Sequence, residues 1–131
     1  MHALGGYRIP GKTEAQAAQL LADAGALEAA GAALLVLELM PSAVATQVTQ
    51  SLARTATIGI GAGNACHGQV LVLHDMLDVF PGKKPRFVRN FRAGSASIGE
   101  AVRRYVAEIW LSLWSDWLAE EIAGPRVVAE N

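Results

Sequence analysis

The hydrophobic positions change period several times along the chain, and each change marks a boundary. From Glu14 to Ala30 the sequence is rich in Ala, Leu, Gln and Glu, all good helix formers. Leu20, Leu21, Ala24 and Leu27 give that helix one apolar face. Thr13 and Gln16 have the spacing of a capping box at its start, and Gly31 stops it. Ala33-Leu34-Leu35-Val36-Leu37 then runs apolar without alternation and ends on Glu38. That is the pattern of a parallel strand covered on both faces. Pro41 opens a second helix over 42–53.

Thr57-Ile58-Gly59-Ile60-Gly61 is a second short β-branched run, followed by Ala62-Gly63-Asn64 as loop. A third apolar run, Val70 to Leu73 between Gln69 and His74, is short enough to be a strand or a short helix. Residues 1–12 and 78–94 are loop-like, with Gly and Pro punctuation. Ser97 and Glu100 form a second capping box. The helix it opens runs through Val102, Tyr105, Val106 and Ile109, and the helical spacing continues through Trp110, Trp114, Trp117 and Leu118 to a stop at Gly124-Pro125. Residues 126–131 are expected to fray. The order of elements predicts one α/β domain, 1–131, with parallel strands. A (β/α)₈ barrel needs about 250 residues, so 131 residues correspond to about half of one.

Composition narrows the function classes. The chain is 52% hydrophobic with a net charge of −1, which excludes a disordered chain and argues against a nucleic-acid partner. One cysteine, Cys66, excludes an internal disulfide framework and suits a reducing compartment. No run reaches the roughly 18 apolar residues of a membrane span, and the start lacks the pattern of a secretory signal. A cytoplasmic protein without a membrane partner is therefore expected.

Glu38 is the first candidate for chemistry. A carboxylate directly after a buried parallel strand stands on the face where such folds place their active sites. Partial desolvation there suits a general base, whereas a plain strand-end Glu would cap the next helix or pair with a basic residue. Gly59, Gly61 and Gly63 form the second candidate. Glycines at a strand end let backbone N–H groups approach a substrate, though the GxGxG spacing lacks the dinucleotide or P-loop pattern and equally suits a tight turn with positive φ. Cys66, His67, His74 and Asp75 could contribute metal ligands, but their spacing matches no zinc pattern. Lys83, Lys84, Arg86, Arg89 and Arg92, interleaved with Phe87 and Phe91, could hold an anionic ligand or nucleic acid, though such a run is more often a solvated loop and the balanced charge favours that. The stripe of Trp110, Trp114 and Trp117 points to packing within the fold or to self-association.

Five segments stand together in order and spacing: Gly5-Gly6-Tyr7-Arg8, Leu35-Val36-Leu37-Glu38, Ile58-Gly59-Ile60-Gly61-Ala62-Gly63, Gly68 to Asp75, and Pro85 to Phe91. Together they resemble the C-terminal half of the ketopantoate hydroxymethyltransferases over roughly residues 5–109. The resemblance implies the C-terminal half of a (β/α)₈ barrel, followed by a C-terminal helix, in large homo-oligomers. It implies transfer of a one-carbon unit from 5,10-methylenetetrahydrofolate to 3-methyl-2-oxobutanoate, toward pantothenate, with Mg²⁺ chelating the keto acid. Glu38 falls on the family's base, and the glycines line the same barrel mouth as substrate-binding residues. The basic stretch 83–92 would meet the anionic folate tail.

Three departures accompany the resemblance. The family's two metal-binding aspartates belong to its N-terminal half, so no metal ligand is expected in this chain. His67 stands where the family usually has Asp, and Asp78 where it has Gly. Residues 110–131 form a divergent helical tail. The expected partner is a second copy or a complementary N-terminal half, and the isolated chain is expected to be inactive. The rival expectation is a non-catalytic, self-associating half-barrel that serves as a binding module.

Overall fold

The computed structural model describes residues 10–79, 82, 84 and 87–123, with side chains as far as Leu111. The motif at 5–8, Lys83, Arg86, the Trp114 and Trp117 side chains and the stop at 124–125 lie outside the described residues.

Local signals set the helix ends. In α1 (Glu14–Ala29) the Thr13 hydroxyl accepts from the Gln16 N–H, and the Gln16 side chain accepts from the Lys12 N–H at 3.1 Å. Gly31, with φ +96°, closes the other end. There the Ala32 N–H reaches the Leu27 carbonyl and the Gly31 N–H reaches that of Glu28, the two bonds of a Schellman motif. At α4 (Ile98–Ala123) the second box forms as well: Ser97 Oγ accepts from the Glu100 N–H at 3.1 Å, and Glu100 accepts from the Ala96 N–H at 2.6 Å.

Three parallel strands make one sheet in the order β1-β2-β3. They are β1 (Leu34–Glu38), β2 (Ala56–Ile60) and β3 (Gly68–Gln69). The register pairs Leu34 with Ala56 and runs to Glu38 with Ile60, and Gly59 lies opposite Gln69. The helix between the first two strands is α2 (Ser42–Ser51). The third apolar run divides between the two readings. Only Gly68 and Gln69 pair as strand, Val70 to Val72 are irregular, and Leu73–Met76 form the short helix α3. Two paired residues suffice to place a strand but not to extend it. The result is an α/β chain with a parallel sheet and a C-terminal helix, as expected of half a (β/α)₈ barrel.

The core is two clusters. Leu37, Met40, Val44, Ala45, Val48, Ala62 and Cys66 are buried together under α1 and α2, with Leu20, Leu21 and Leu35 against them. Met76, Leu77, Phe91 and Ala101 form the second, beside Leu71 and Tyr105. Fully burying each such large side chain contributes about 1.5–3 kcal/mol. The expectation that β1 is covered on both faces is corrected. Leu35 and Leu37 pack toward the helices, but Leu34 and Val36 on the opposite face are exposed. Among the described residues no second layer lies over that face.

A polar seam crosses the helix-facing side, buried at Thr49 and Thr57 and exposed at His67. Thr49 and Thr57 share a hydrogen bond of 2.8 Å, and His67 Nδ1 accepts from the Thr57 N–H at 3.1 Å. That N–H points toward β3, which begins one register position later, so the imidazole takes the place of a strand carbonyl. Elsewhere Glu28 reaches out of α1 to accept from the N–H groups of Ala53, Arg54 and Thr55. These bonds, that to Arg54 foremost, hold its carboxyl below the ordinary 4.5. No helix among the described residues is long and apolar enough to cross a membrane.

Candidate functional site

Glu38 is the last residue of β1, opposite Ile60, the last residue of β2. Strand alternation puts it on the open face with Leu34 and Val36. It is exposed, so the partial desolvation expected of a base is not supplied by the described residues. The chain turns sharply after it. Leu39 adopts φ +51°, a strained value for a leucine, held by its N–H on the Ile60 carbonyl at 2.9 Å and by the buried Met40 next to it. Strain of this kind at the C-terminal end of a parallel strand is where a functional site would be sought.

The glycine segment follows Ile60 directly. Gly61 has φ +62° and Gly63 φ +85°, conformations that side chains resist. Both are also crowded. A Cβ on Gly61 would stand 2.7 Å from the Phe87 ring, and one on Gly63 would stand 2.6 Å from Ser42 Cβ at the start of α2. Gly59 has a different setting, buried on the helix-facing side where the Gln69 amide and Cys66 Sγ fill the room a side chain would take. Glu38, Gly61 and Gly63 thus lie at the C-terminal ends of β1 and β2, while Gly59 serves the packing beneath.

Beyond the glycine loop, Gln69, Phe87, Arg89, Tyr105 and Glu108 line a cavity of about 300 Å³ with Gly61 and Gly63. Tyr105 crosses Phe91 edge to face and donates to the Gln69 carbonyl at 3.2 Å. Burial pushes its phenol above the ordinary 10.0, which keeps it a donor.

The candidate metal residues are not brought together. Cys66 is buried near Thr49, His67 Nδ1 is engaged by Thr57, and His74 and Asp75 lie on α3. Among the described residues no group of three His, Cys, Asp or Glu could hold a metal ion. The basic stretch is also spoken for where it is described. Lys84 pairs with Asp78, Arg89 with Glu108 at 2.7 Å and over the Phe91 ring, and Arg92 donates to the Ser95 carbonyl. Asp78 itself has φ +61°, with Asn90 bonded to its carboxylate. Trp110 is 60% exposed.

Sequence reasoning missed Gln69, which it read only as the edge of an apolar run, and the Thr57–His67 pair. Both depend on partners at least six residues away. The one local sign was a polar amide placed directly after Gly68 at the start of a run otherwise apolar.

Residues 1–112 match the family model described as ketopantoate hydroxymethyltransferase. Among similar proteins, the 3-methyl-2-oxobutanoate hydroxymethyltransferases of Azoarcus sp. (strain BH72) and of Aromatoleum aromaticum are each 63% identical over 109 residues, 83% of this chain. That of Burkholderia mallei (strain SAVP1) is 61% identical over the same length. The chain spans about 40% of the length of these curated relatives.

Proposed function

Since the chain belongs to the ketopantoate hydroxymethyltransferase family, we propose that it forms the Glu38-bearing wall of a cytoplasmic active site of that chemistry. The reaction moves a one-carbon unit from 5,10-methylenetetrahydrofolate to 3-methyl-2-oxobutanoate, giving 2-dehydropantoate. The observation that carries this reading is the placement of Glu38. It ends a parallel strand on the open sheet face, one residue before a strained turn and beside the glycine loop.

Glu38 takes the proton from C3 of the keto acid. The methylene carbon is held to folate by two C–N bonds: one breaks as the freed carbon forms its new C–C bond, the other as water supplies the hydroxyl, and the protons from C3 and from water end on the two folate nitrogens. Gly61 and Gly63 bring backbone close to the keto acid. The described residues do not offer a metal site, so a magnesium ion would be held by the rest of the barrel. The same missing layer supplies the desolvation that Glu38 lacks here. The partner in this reading is a complementary N-terminal half or a second copy of the chain, laid over Leu34 and Val36.

The test is deuterium exchange at C3 of 3-methyl-2-oxobutanoate with magnesium, followed by NMR. The purified chain alone is expected to give none. Exchange is expected once the N-terminal portion of a relative is added, with a loss of about 10²–10⁴-fold in Glu38→Gln. Full exchange by that variant in the assembled barrel would overturn the assignment.

A second reading, a self-associating module without catalysis, is favoured by one observation. Ile98, Val102, Val106 and Trp110 recur every four residues along α4 and are all exposed. Sedimentation separates the two readings: self-association that Trp110→Ala abolishes, with no exchange under any complementation, would select the module.

A further inference from the structure

We propose that Gln69 is a positioning residue that holds the glycine loop in shape beside Glu38. The proposal rests on the reading of Glu38 as the base. The argument begins with the sheet register, in which Gln69 lies opposite Gly59 on the helix-facing side. Because Gly59 has no side chain, the Gln69 side chain can cross beneath β2. A Cβ at Gly59 would lie 3.0 Å from its Oε1 and 3.1 Å from its Nε2. From there Nε2 donates to the Gly63 carbonyl at 2.9 Å.

Gly63 is thereby fixed from two directions, by the Gln69 amide and by Ser42 at the start of α2. The backbone that carries this side chain is itself anchored. The Val70 N–H bonds to the Gly59 carbonyl at 2.9 Å, and the Tyr105 hydroxyl bonds to the Gln69 carbonyl at 3.2 Å. A continuous chain of contacts thus runs from α4 through β3 to the loop that follows Ile60, the partner of Glu38.

The loop needs such a hold. Its two glycines at positive φ have more conformational freedom to lose than any other residue type. A binding loop that is ordered in advance loses less on binding substrate. Gln69 lies on the opposite side of the sheet from Glu38, so it acts on how well substrate is held and not on the proton transfer. Only an amide suits the position. Methionine would fill the space without a donor, and glutamate would set an oxygen against the Gly63 carbonyl.

Two variants of the full chain, Gln69→Met and Gln69→Glu, test this by backbone ¹⁵N relaxation. The order parameters of Gly61 and Gly63 are expected to fall below about 0.6 in both, the range of flexible backbone, with Leu35 to Leu37 unchanged. A role in packing alone would leave the methionine variant like the parent. In the barrel completed by the N-terminal portion, the deuterium-exchange assay should then show KM for 3-methyl-2-oxobutanoate raised about fivefold and kcat within about twofold. Unaltered loop order parameters in both variants, or a fall in kcat at constant KM, would overturn the proposal. If Glu38→Gln keeps full turnover, the reading of the base fails by itself, and the loop order parameters still decide the role of Gln69.

Discussion

Leu37 and Val36 are neighbours in one strand, yet the first is 3% exposed and the second 59%. The two faces of the sheet differ in kind. The helix-facing side has a close-packed cluster and a satisfied polar seam of Thr49, Thr57 and His67. The other side has Leu34, Val36 and Glu38 without a covering layer among the described residues. Residues of one side hold the strands in place, while those of the other are free to meet a substrate or a partner. The packed face of the five-residue strand thus carries stability, and the chemistry proposed for Glu38 falls on the other.

Mutations sharpen that contrast. Leu37→Ala, on the packed side, should cost about 2–5 kcal/mol in urea unfolding, because the cavity cannot collapse against α1 and α2. Thr57→Val should cost about 1–3 kcal/mol by leaving the buried Thr49 hydroxyl only its long contact to the Cys66 sulfur. A result near zero for either would mean that the helix-facing side is not the stabilising one.

Glu28 gives a smaller, pH-dependent effect. Its folded-state pKa is lowered, chiefly by the Arg54 N–H, so its carboxylate stabilises the fold above the unfolded value. That contribution is lost as pH falls through the folded value. The urea midpoint of the parent should therefore fall on acidification through the carboxylate range, and Glu28→Gln should flatten that dependence. Equal slopes in the two proteins would count against the tether between α1 and the start of β2. Val36→Ala, on the open face, should change stability by less than about 0.5 kcal/mol in the isolated chain. The same change should weaken assembly with a complementary half if that half lies over Val36.

Much of this architecture is readable locally. Thr13 with Gln16, Ser97 with Glu100, and Gly31 set their helix ends through bonds spanning three to five residues. Glu38 was legible because a carboxylate after an apolar run marks a strand end whatever the strand pairs with. The length of β3 was not legible. Val70 to Val72 have strand-like composition, yet pairing ends at Gln69. The open face was not legible either, since an apolar run predicts cover without saying which chain provides it. The sequence offers Cys66, His67 and His74 only as candidate metal ligands, because ligand chemistry needs convergence in space that spacing does not show, and among the described residues they serve different neighbours.

The sequence by itself determined both ends of α1, the starts of α2 and α4, the parallel α/β class, the family and the place of Glu38 at a strand end. These follow from hydrogen bonds and periodicities confined to a few consecutive residues, or from motifs in a fixed order. Only the tertiary structure decided which face of β1 is packed, that His67 bonds Thr57, that Glu28 gathers three backbone amides, and that Gln69 reaches Gly63 beneath Gly59. Each of these joins groups from different elements, and their distance in space is set by how the sheet and helices pack.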